Sequence, residues 1–163
     1  MRTPSSLHAF ARKAQRGAAA VEFAILIVPL LLMLFGVTEY GRAIYQYNTL
    51  VKSVRDATRY LSAVAPGSGH AAARCLAVYG NSNCTGSPLA PGLTTGMVGI
   101  CDATNCAATH NSQPTGSGTA NLVTVTVNGY TFQTLLNFSM SGLTIGAPDI
   151  TYDPIQNTMR QAS

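Results

Sequence analysis

The hydrophobic pattern of this chain is dominated by one apolar segment near the N-terminus. From Phe23 to Val37 no residue carries a charge or a side-chain amide, and Glu22 is the one charged residue between Ala18 and Val37. At about 1.5 Å per helical residue, the segment from Ala18 to Val37 is roughly 30 Å long, the thickness of a bilayer core. The pattern therefore predicts a transmembrane helix over residues 18–37.

Beyond this segment the hydrophobicity falls, but a helical period continues over residues 38–64. A narrow stripe of apolar side chains recurs at spacings of three and four, with basic side chains off the stripe. Pro66 and Gly67 predict the end of the helix. We therefore expect one long helix whose outer half is an amphipathic stem. The stripe consists of Tyr40, Ile44, Tyr47, Val51, Val54, Thr58 and Leu61, and the basic residues are Arg42, Lys52, Arg55 and Arg59.

The next segment contains all the cysteines. Residues 67–120 are rich in Gly, Ser, Thr, Asn and Pro, which predicts mostly loop with a short helix near residues 71–79. An even number of cysteines in a segment predicted to be exported fits two disulfides. Pairing Cys75 with Cys84 and Cys101 with Cys106 is favoured because it closes short loops, but the sequence does not decide among three connectivities. Zinc is the alternative, although the spacings are unlike those of usual structural zinc ligands.

The last part of the chain has the alternation of β-strands. Val123, Val125 and Val127 alternate with threonines, the pattern of a half-buried strand. Asn128 and Gly129 follow as a turn signal, so the chain can return as a hairpin. Shorter apolar stretches supply further strands. The expected fold is α+β: a long N-terminal transmembrane-plus-stem helix, then a small, loop-rich, disulfide-bearing domain with a short antiparallel sheet.

Charge along the chain predicts the orientation of the anchor. The first 17 residues contain four basic residues and no acidic one, and the positive-inside rule then keeps the N-terminus in the cytoplasm and exports everything after Val37. A cleaved secretory signal peptide is the alternative, but the small residues that its cleavage needs precede the apolar segment instead of following it. The charge pattern does not indicate a nucleic-acid partner, because no acidic or basic tail is present.

Two residues are unusual for a plain membrane anchor. Glu22 is ionisable, and an acid near mid-bilayer costs roughly 3 kcal/mol to insert, so it should have a partner. The alternative is an interfacial carboxylate wetted by lipid headgroups. Pro29 removes one backbone hydrogen bond and predicts a kink, a defect that membrane helices tolerate.

The start of the apolar segment resembles a known processing site. Arg16-Gly17 is followed by small residues, then by Glu22-Phe23 and the apolar run. This order resembles the class III signal peptides of type IV pilins, and most closely the TadE-like pseudopilins, or minor pilins, of tight-adherence (Flp, type IVc) pilus systems. The resemblance implies that a membrane prepilin peptidase cleaves on the cytoplasmic side between Gly17 and Ala18, removing residues 1–17 as a basic leader.

The resemblance also implies roles for residues after the cut. Glu22 would be the fifth residue of the mature chain, four positions from the new α-amino group of Ala18 and on the same helix face. Glu22 and Phe23 would then set helix register and pairing between subunits. The basic stem face over residues 53–61 is similar to the TadE-like pattern as well. In one interpretation this basic face contacts a partner pilin helix. In the other it is exposed to solvent, while the apolar stripe of the same helix packs on the domain.

Catalysis is not expected from this sequence. His70 and His110 lie in loops with no acid nearby in sequence, and His8 belongs to the leader. The exported acids show no spacing typical of a metal site or a general acid and base pair. We therefore predict no enzyme, no metal and no cofactor. The acids beyond the stem are Asp102, Asp149 and Asp153.

Two functional hypotheses follow. The first is a minor pilin that takes part in pilus assembly after cleavage, with the inner membrane, the prepilin peptidase and other pilins or pseudopilins as partners. The second is an uncleaved, single-pass adhesion or binding module whose exported residues 65–163 bind a ligand or a surface. Both place the protein in the cell (inner) membrane, with a cytoplasmic N-terminus and a periplasmic or extracellular C-terminal domain.

Overall fold

The protein is mixed α+β, with one long N-terminal helix followed by a small domain of antiparallel strands, as predicted. The computed structural model describes residues 6–135, 137–140, 143–146 and 148–162, with side chains for residues 17–135 and 148–162. Two compact units meet in sequence between Gly41 and Arg42.

The helices are α1 (Ser6–Ser62), α2 (His70–Tyr79), α3 (Ala107–His110) and a 3₁₀ turn at Thr95–Met97. The strands are β1 (Val98–Cys101), β2 (Gln113–Thr115), β3 (Gly118–Val127), β4 (Thr131–Phe132), β5 (Asn137–Met140), β6 (Leu143–Gly146), β7 (Ile150–Thr151) and β8 (Ile155–Gln161).

Helix α1 begins earlier than the sequence analysis expected. It starts at Ser6 instead of near Ala18, so the helical conformation includes part of the basic N-terminal segment. Residues 6–16 contain no Pro or Gly and several alanines, which favour helix. At its other end α1 stops at Ser62, close to the predicted end, and β8 caps it. Gln161 Nε2 donates to the carbonyls of Leu61 and Val64, both at 3.3 Å.

The buried line along the outer half of α1 differs from the predicted stripe. Val54, Thr58 and Leu61 are buried as predicted. Tyr40, Ile44 and Tyr47 are 68%, 44% and 45% exposed, so the prediction was wrong for the first half of the stem. Small alanine side chains lie between larger apolar side chains along this buried line and allow close packing. The buried line consists of Ala43, Gln46, Leu50, Ser53, Val54, Ala57, Thr58 and Leu61.

The central sheet has four antiparallel strands built around β3, the strand that the valine alternation predicted. β1 and β8 pair with the same residues of β3 and therefore lie on its opposite edges, and β2 pairs with the first residues of β3. Val98 lies opposite Val127, and Val123 lies opposite Met159. Val123, Val125 and Val127 are buried, so one face of β3 enters the core.

The predicted hairpin after Asn128-Gly129 does not form with β3. Gly129 adopts a positive φ of 68°, a conformation that glycine adopts without steric cost. The chain then leaves the central sheet, and β4 pairs with β7 in a separate two-stranded ribbon. β5 and β6 form another antiparallel pair. Asn128 N–H still donates to the carbonyl of Met97 at 2.9 Å, so pairing with the β1 side continues to the turn itself.

The hydrophobic core lies between two helices and the inner face of the central sheet. α1 contributes Leu50, Val54, Ala57 and Leu61, α2 contributes Ala73, Ala77 and Val78, and β1, β3 and the loops supply the rest. Full burial of one such Val or Leu side chain contributes about 1.5–3 kcal/mol. All of these residues follow Arg42, so the second unit has a core of its own.

Candidate functional site

The apolar part of α1 presents its side chains outward. The helical segment Gly17–Ser62 is long and apolar enough to cross a membrane, and the side chains of its most apolar part are not buried. Phe23 is 64% exposed and Met33 is 77% exposed. A helix that is apolar on all sides requires lipid or other helices as its surroundings. One long apolar N-terminal helix of this kind fits a single-pass membrane anchor.

The residues of the predicted cleavage site lie on this helix. Gly17 and Ala18 are exposed and helical. A Cβ atom placed on Gly17 meets nothing within 4 Å, and the same holds for Gly36 in the same helix. Small substitutions at either position are therefore sterically neutral in this structure, which makes the two glycines a matched pair for testing cleavage. The cleavage itself stays a prediction.

Glu22, Phe23 and Pro29 are also part of α1. Glu22 and Phe23 are exposed on the helix, and the four-residue offset places Glu22 one turn from Ala18. Pro29 lies inside α1, which continues past it. Pairing by Glu22 and a kink at Pro29 stay predictions.

The four cysteines form two disulfides. Cys75 on α2 is bonded to Cys84, and Cys101 at the end of β1 is bonded to Cys106. This is the connectivity that the short loops favoured. The first bond ties α2 to the loop that follows it, and the second closes the turn between β1 and α3. Both bonds therefore stabilise segments with little regular structure of their own.

Asp102 makes a buried cross-link that the sequence analysis did not anticipate. Its carboxylate is fully buried. One oxygen accepts from Gly67 N–H at 2.7 Å and from His70 Nε2 at 2.6 Å. The other accepts from Thr104 N–H at 2.9 Å, Thr104 Oγ1 at 2.6 Å and Asn105 N–H at 3.2 Å. One carboxylate thus connects the loop after α1, the first residue of α2 and the turn after β1.

The hydrogen bonds to Asp102 decide its ionisation. Burial opposes the charged form, but the bonds from Thr104, Gly67 and His70 outweigh it and lower the pKa of Asp102 well below its usual range. His70 and Asp102 are 32 positions apart, so no local spacing could have revealed the pair. The carboxylate is saturated with donors from the backbone and neighbouring side chains, which gives this aspartate–histidine pair a structural role.

A metal site was the alternative use of the cysteines. Cys101, Cys106 and His110 bring their Sγ and ring nitrogen atoms within 4.8 Å of one another. The two sulfurs are bonded to each other, whereas a zinc ligand must be a thiolate. His110 hydrogen-bonds with Thr124 Oγ1 at 2.8 Å and with Thr109 Oγ1 at 2.7 Å. In this oxidised form the group is a disulfide beside an engaged histidine.

Tyrosine side chains join the β4–β7 ribbon to the first residues of α1 in the second unit. Tyr152 OH donates to the carbonyl of Ala43 at 2.8 Å, and Tyr130 OH donates to Gln46 Oε1 at 2.8 Å. The centroids of the Tyr130 and Tyr152 rings are 5.7 Å apart. Burial raises the pKa of both tyrosines, so both stay neutral donors at physiological pH. The sequence analysis missed this cluster, because each hydrogen bond from a tyrosine to α1 joins residues more than 80 positions apart.

Comparison with known proteins agrees with the resemblance seen in the sequence. A model of the TadE-like protein family matches residues 17–59, about a quarter of the chain. No curated protein and no solved structure matches the chain. The family match starts at Gly17, includes the exposed apolar segment and ends near the end of α1, before the first cysteine. TadE-like pilins of tight-adherence pili are a structural family. Over residues 17–59, this chain is similar to the TadE-like protein family.

Proposed function

We propose that this protein is a minor pilin, or pseudopilin, that acts in the assembly of a tight-adherence pilus. The observation that carries the proposal is the TadE-like match, which begins at Gly17 and includes the exposed apolar segment of α1. Helices with such surfaces associate in membranes through close packing and through polar groups that find partners. Insertion through this helix would bring the protein into contact with the other pilins and pseudopilins of its system.

Maturation is the first step of the proposed pathway. A prepilin peptidase in the inner membrane removes residues 1–17 on the cytoplasmic side, between Gly17 and Ala18. The cut creates an α-amino group at Ala18, one helical turn from Glu22. Pairing of this amine with the carboxylate, within one chain or between neighbours, offsets part of the cost of holding each charge in lipid.

The stem supplies a second surface for assembly. Lys52, Arg55 and Arg59 are exposed on α1, while the opposite side of the helix is covered by the domain core. The exposed basic side chains are available to an acidic stem of another pilin. Attraction between exposed charges is weak and screened by salt, so this surface selects a partner while the apolar segment supplies most of the association energy.

An uncleaved adhesion or binding module remains the second candidate. The family match stops at residue 59, and the chain beyond it contains two disulfides and most of the core that packs on α1. Such a domain can bind a ligand or a surface whether or not the chain enters a pilus. The two candidates differ in whether the leader is removed.

The intact mass and N-terminal residue of the membrane-extracted protein separate the two candidates. The protein is expressed in cells that contain or lack a prepilin peptidase. We expect a chain that starts at Ala18 in the first cells and an untrimmed chain in the second. An untrimmed chain in both would overturn the proposed maturation and favour the uncleaved module.

Matched glycine variants locate the cut. Gly17→Leu is expected to leave the precursor intact, because the peptidase must accommodate the residue before the scissile bond. Gly36→Leu adds the same side chain to the same helix at a position with equal free space, and this variant should be trimmed normally. Normal trimming of Gly17→Leu would show that the proposed site is wrong.

A further inference from the structure

The Cys101–Cys106 disulfide lies beside the ring of His110. The two sulfurs and a ring nitrogen lie within 4.8 Å of one another, and all three side chains are half-buried. Tetrahedral zinc holds its sulfur and nitrogen ligands about 3.5–3.8 Å apart, so the ring nitrogen needs to approach the sulfurs by no more than roughly 1.3 Å. The S–S bond must open first, because the ligand form of cysteine is the thiolate.

Hydrogen bonds hold the turn between the two cysteines independently of the disulfide. Asn105 Oδ1 accepts from Asp102 N–H at 2.7 Å, and Asn105 Nδ2 donates to the carbonyl of Ile100 at 2.8 Å. Cys106 N–H donates to the carbonyl of Asp102 at 3.0 Å. Cys101 belongs to β1, which pairs with β3. Reduction of the disulfide therefore leaves both thiols on a turn whose backbone is still held, with their Cα atoms 5.4 Å apart.

His110 is held beside this turn by two threonine hydroxyls. Its Nδ1 hydrogen-bonds with Thr109 Oγ1 at 2.7 Å, and its Nε2 hydrogen-bonds with Thr124 Oγ1 at 2.8 Å. Thr124 lies opposite Cys101 in the register of β1 and β3. His110 N–H also donates to the carbonyl of Cys106 at 3.0 Å. Whichever ring nitrogen binds an ion, the other keeps a hydroxyl partner that orients the ring, as the outer partners of metal-bound histidines do.

The donor atoms select the class of ion. Two thiolates and one imidazole suit a borderline-soft cation such as Zn²⁺, whereas Ca²⁺ and Mg²⁺ take oxygen ligands. The carboxylate of Asp102, next to Cys101, already accepts hydrogen bonds from Gly67, His70 and Thr104, so it is not free to act as a fourth ligand. Three protein ligands leave one position for water, as in an open zinc site.

We propose that Cys101, Cys106 and His110 form a redox-controlled zinc site, which binds Zn²⁺ once the disulfide is reduced. A dithiol reductant gives two electrons and two protons to the S–S bond, which breaks to two thiols while the reductant closes to its own disulfide. Zn²⁺ then displaces the two thiol protons and forms two zinc–sulfur bonds and one zinc–nitrogen bond. The oxidised chain, whose sulfurs are bonded to each other, does not bind the ion. This proposal is independent of the role in pilus assembly.

Cobalt titration of the reduced protein tests the site. Two variants form a matched pair: Cys75→Ala/Cys84→Ala keeps the proposed site, and Cys101→Ala/Cys106→Ala keeps the other cysteine pair. Among the side chains that the structure describes, no third ligand accompanies Cys75 and Cys84. Each full-length protein is purified in detergent, reduced with dithiothreitol and desalted under nitrogen, because dithiothreitol itself binds metals. Co²⁺ is then added as a spectroscopic substitute for Zn²⁺.

Reduced Cys75→Ala/Cys84→Ala is expected to bind one Co²⁺ per chain. Binding should give thiolate-to-cobalt charge-transfer absorption and the visible bands of tetrahedral Co²⁺, and Zn²⁺ should abolish both. The oxidised form of this variant and reduced Cys101→Ala/Cys106→Ala should show neither signal. Adding His110→Ala should weaken binding at least about tenfold, since loss of even an outer partner of a metal ligand costs about 10–100-fold. Unchanged binding after His110→Ala, or equal binding by the two cysteine variants, would overturn the proposal.

Alkylation of the natural chain keeps the test decisive if a variant fails to fold. The reduced wild type is treated with iodoacetamide with and without Zn²⁺, and mass spectrometry identifies the modified cysteines. Zn²⁺ should protect Cys101 and Cys106 and leave Cys75 and Cys84 reactive, because a thiolate that binds zinc is not free to act as a nucleophile. Equal modification of all four cysteines in both samples would contradict the proposed site. Loss of the circular dichroism of the sheet on reduction would contradict it too, because the site needs a turn that outlasts the disulfide.

Discussion

At the scale of single residues, Asp102 shows how a small, weakly charged domain uses one carboxylate to organise its loops. Only 10% of the chain is charged, and Asp102 is the fully buried acid among the residues that the structure describes with side chains. Its donors come from the loop after α1, the first residue of α2 and the turn after β1. Loss of an acceptor would leave several buried donors unsatisfied, and each such group costs about 1–3 kcal/mol.

Replacing Asp102 should therefore destabilise the domain and change its response to acid. Asp102→Ala is expected to lower the free energy of unfolding by about 3 kcal/mol at neutral pH. Because the folded pKa of Asp102 is lowered, its ionisation stabilises the wild type fully above the unfolded value, near pH 4, and this stabilisation is lost as the pH falls below it.

Urea unfolding of the full chain in detergent at pH 7 and pH 3 measures both effects. Asp102→Asn should lose less stability between the two pH values than the wild type does. Asp153→Asn, at an exposed position, is the control and should behave as the wild type. An Asp102→Asn variant with the same loss of stability on acidification would contradict the assignment.

At the scale of elements, the disulfides compensate for loops that pack few side chains. The Cys75–Cys84 bond spans 9 positions and the Cys101–Cys106 bond spans 5. Short loops gain less from closure than long ones, because less conformational entropy is removed from the unfolded chain. Each bond should still matter, since the residues between α2 and β1 form no long helix or strand.

Removing one disulfide should lower stability without changing the fold of the sheet. The double variant Cys75→Ala/Cys84→Ala is expected to lose about 2–3 kcal/mol of unfolding free energy. Chemical unfolding monitored by circular dichroism measures this loss. Dithiothreitol should destabilise the wild type further than the variant, which has one disulfide left to reduce. Equal stability of wild type and variant would show that the loop is held by its other contacts.

At the scale of the whole molecule, the two units have different sources of stability. Residues before Arg42 expose apolar side chains on α1, whereas the second unit surrounds a core of its own. The first unit therefore depends on lipid or on other helices, and the second does not.

Assembly should depend on Glu22 more than membrane insertion does. Glu22→Leu removes a charge from the apolar segment, so insertion should be unchanged or improved. If Glu22 pairs with the Ala18 amine as proposed, this variant should be incorporated less well with other pilins. Co-purification with the other pilins and the number of surface pili are the measurements, with carbonate extraction as the control for insertion. Normal piliation by Glu22→Leu would remove this residue from the mechanism.

The sequence alone determined the features that depend on local pattern. Features that reflect residues close together in the chain were predicted from the sequence. These patterns were the apolar run and helical period of α1, the valine alternation of β3 and the even cysteine count that predicted disulfides. The TadE-like resemblance belongs to the same class, because it rests on the continuous segment from Gly17 onward.

Tertiary structure decided what depends on residues far apart in the chain. It selected Ala43, Leu50 and Ala57 for the buried side of α1, because the side that packs depends on the shape of the domain core and not on hydrophobicity alone. It paired β4 with β7 instead of β3. It also brought His70 and Asp102 together. Such contacts are chosen by the packing and hydrogen bonding of the whole domain, and no local spacing in the sequence encodes them.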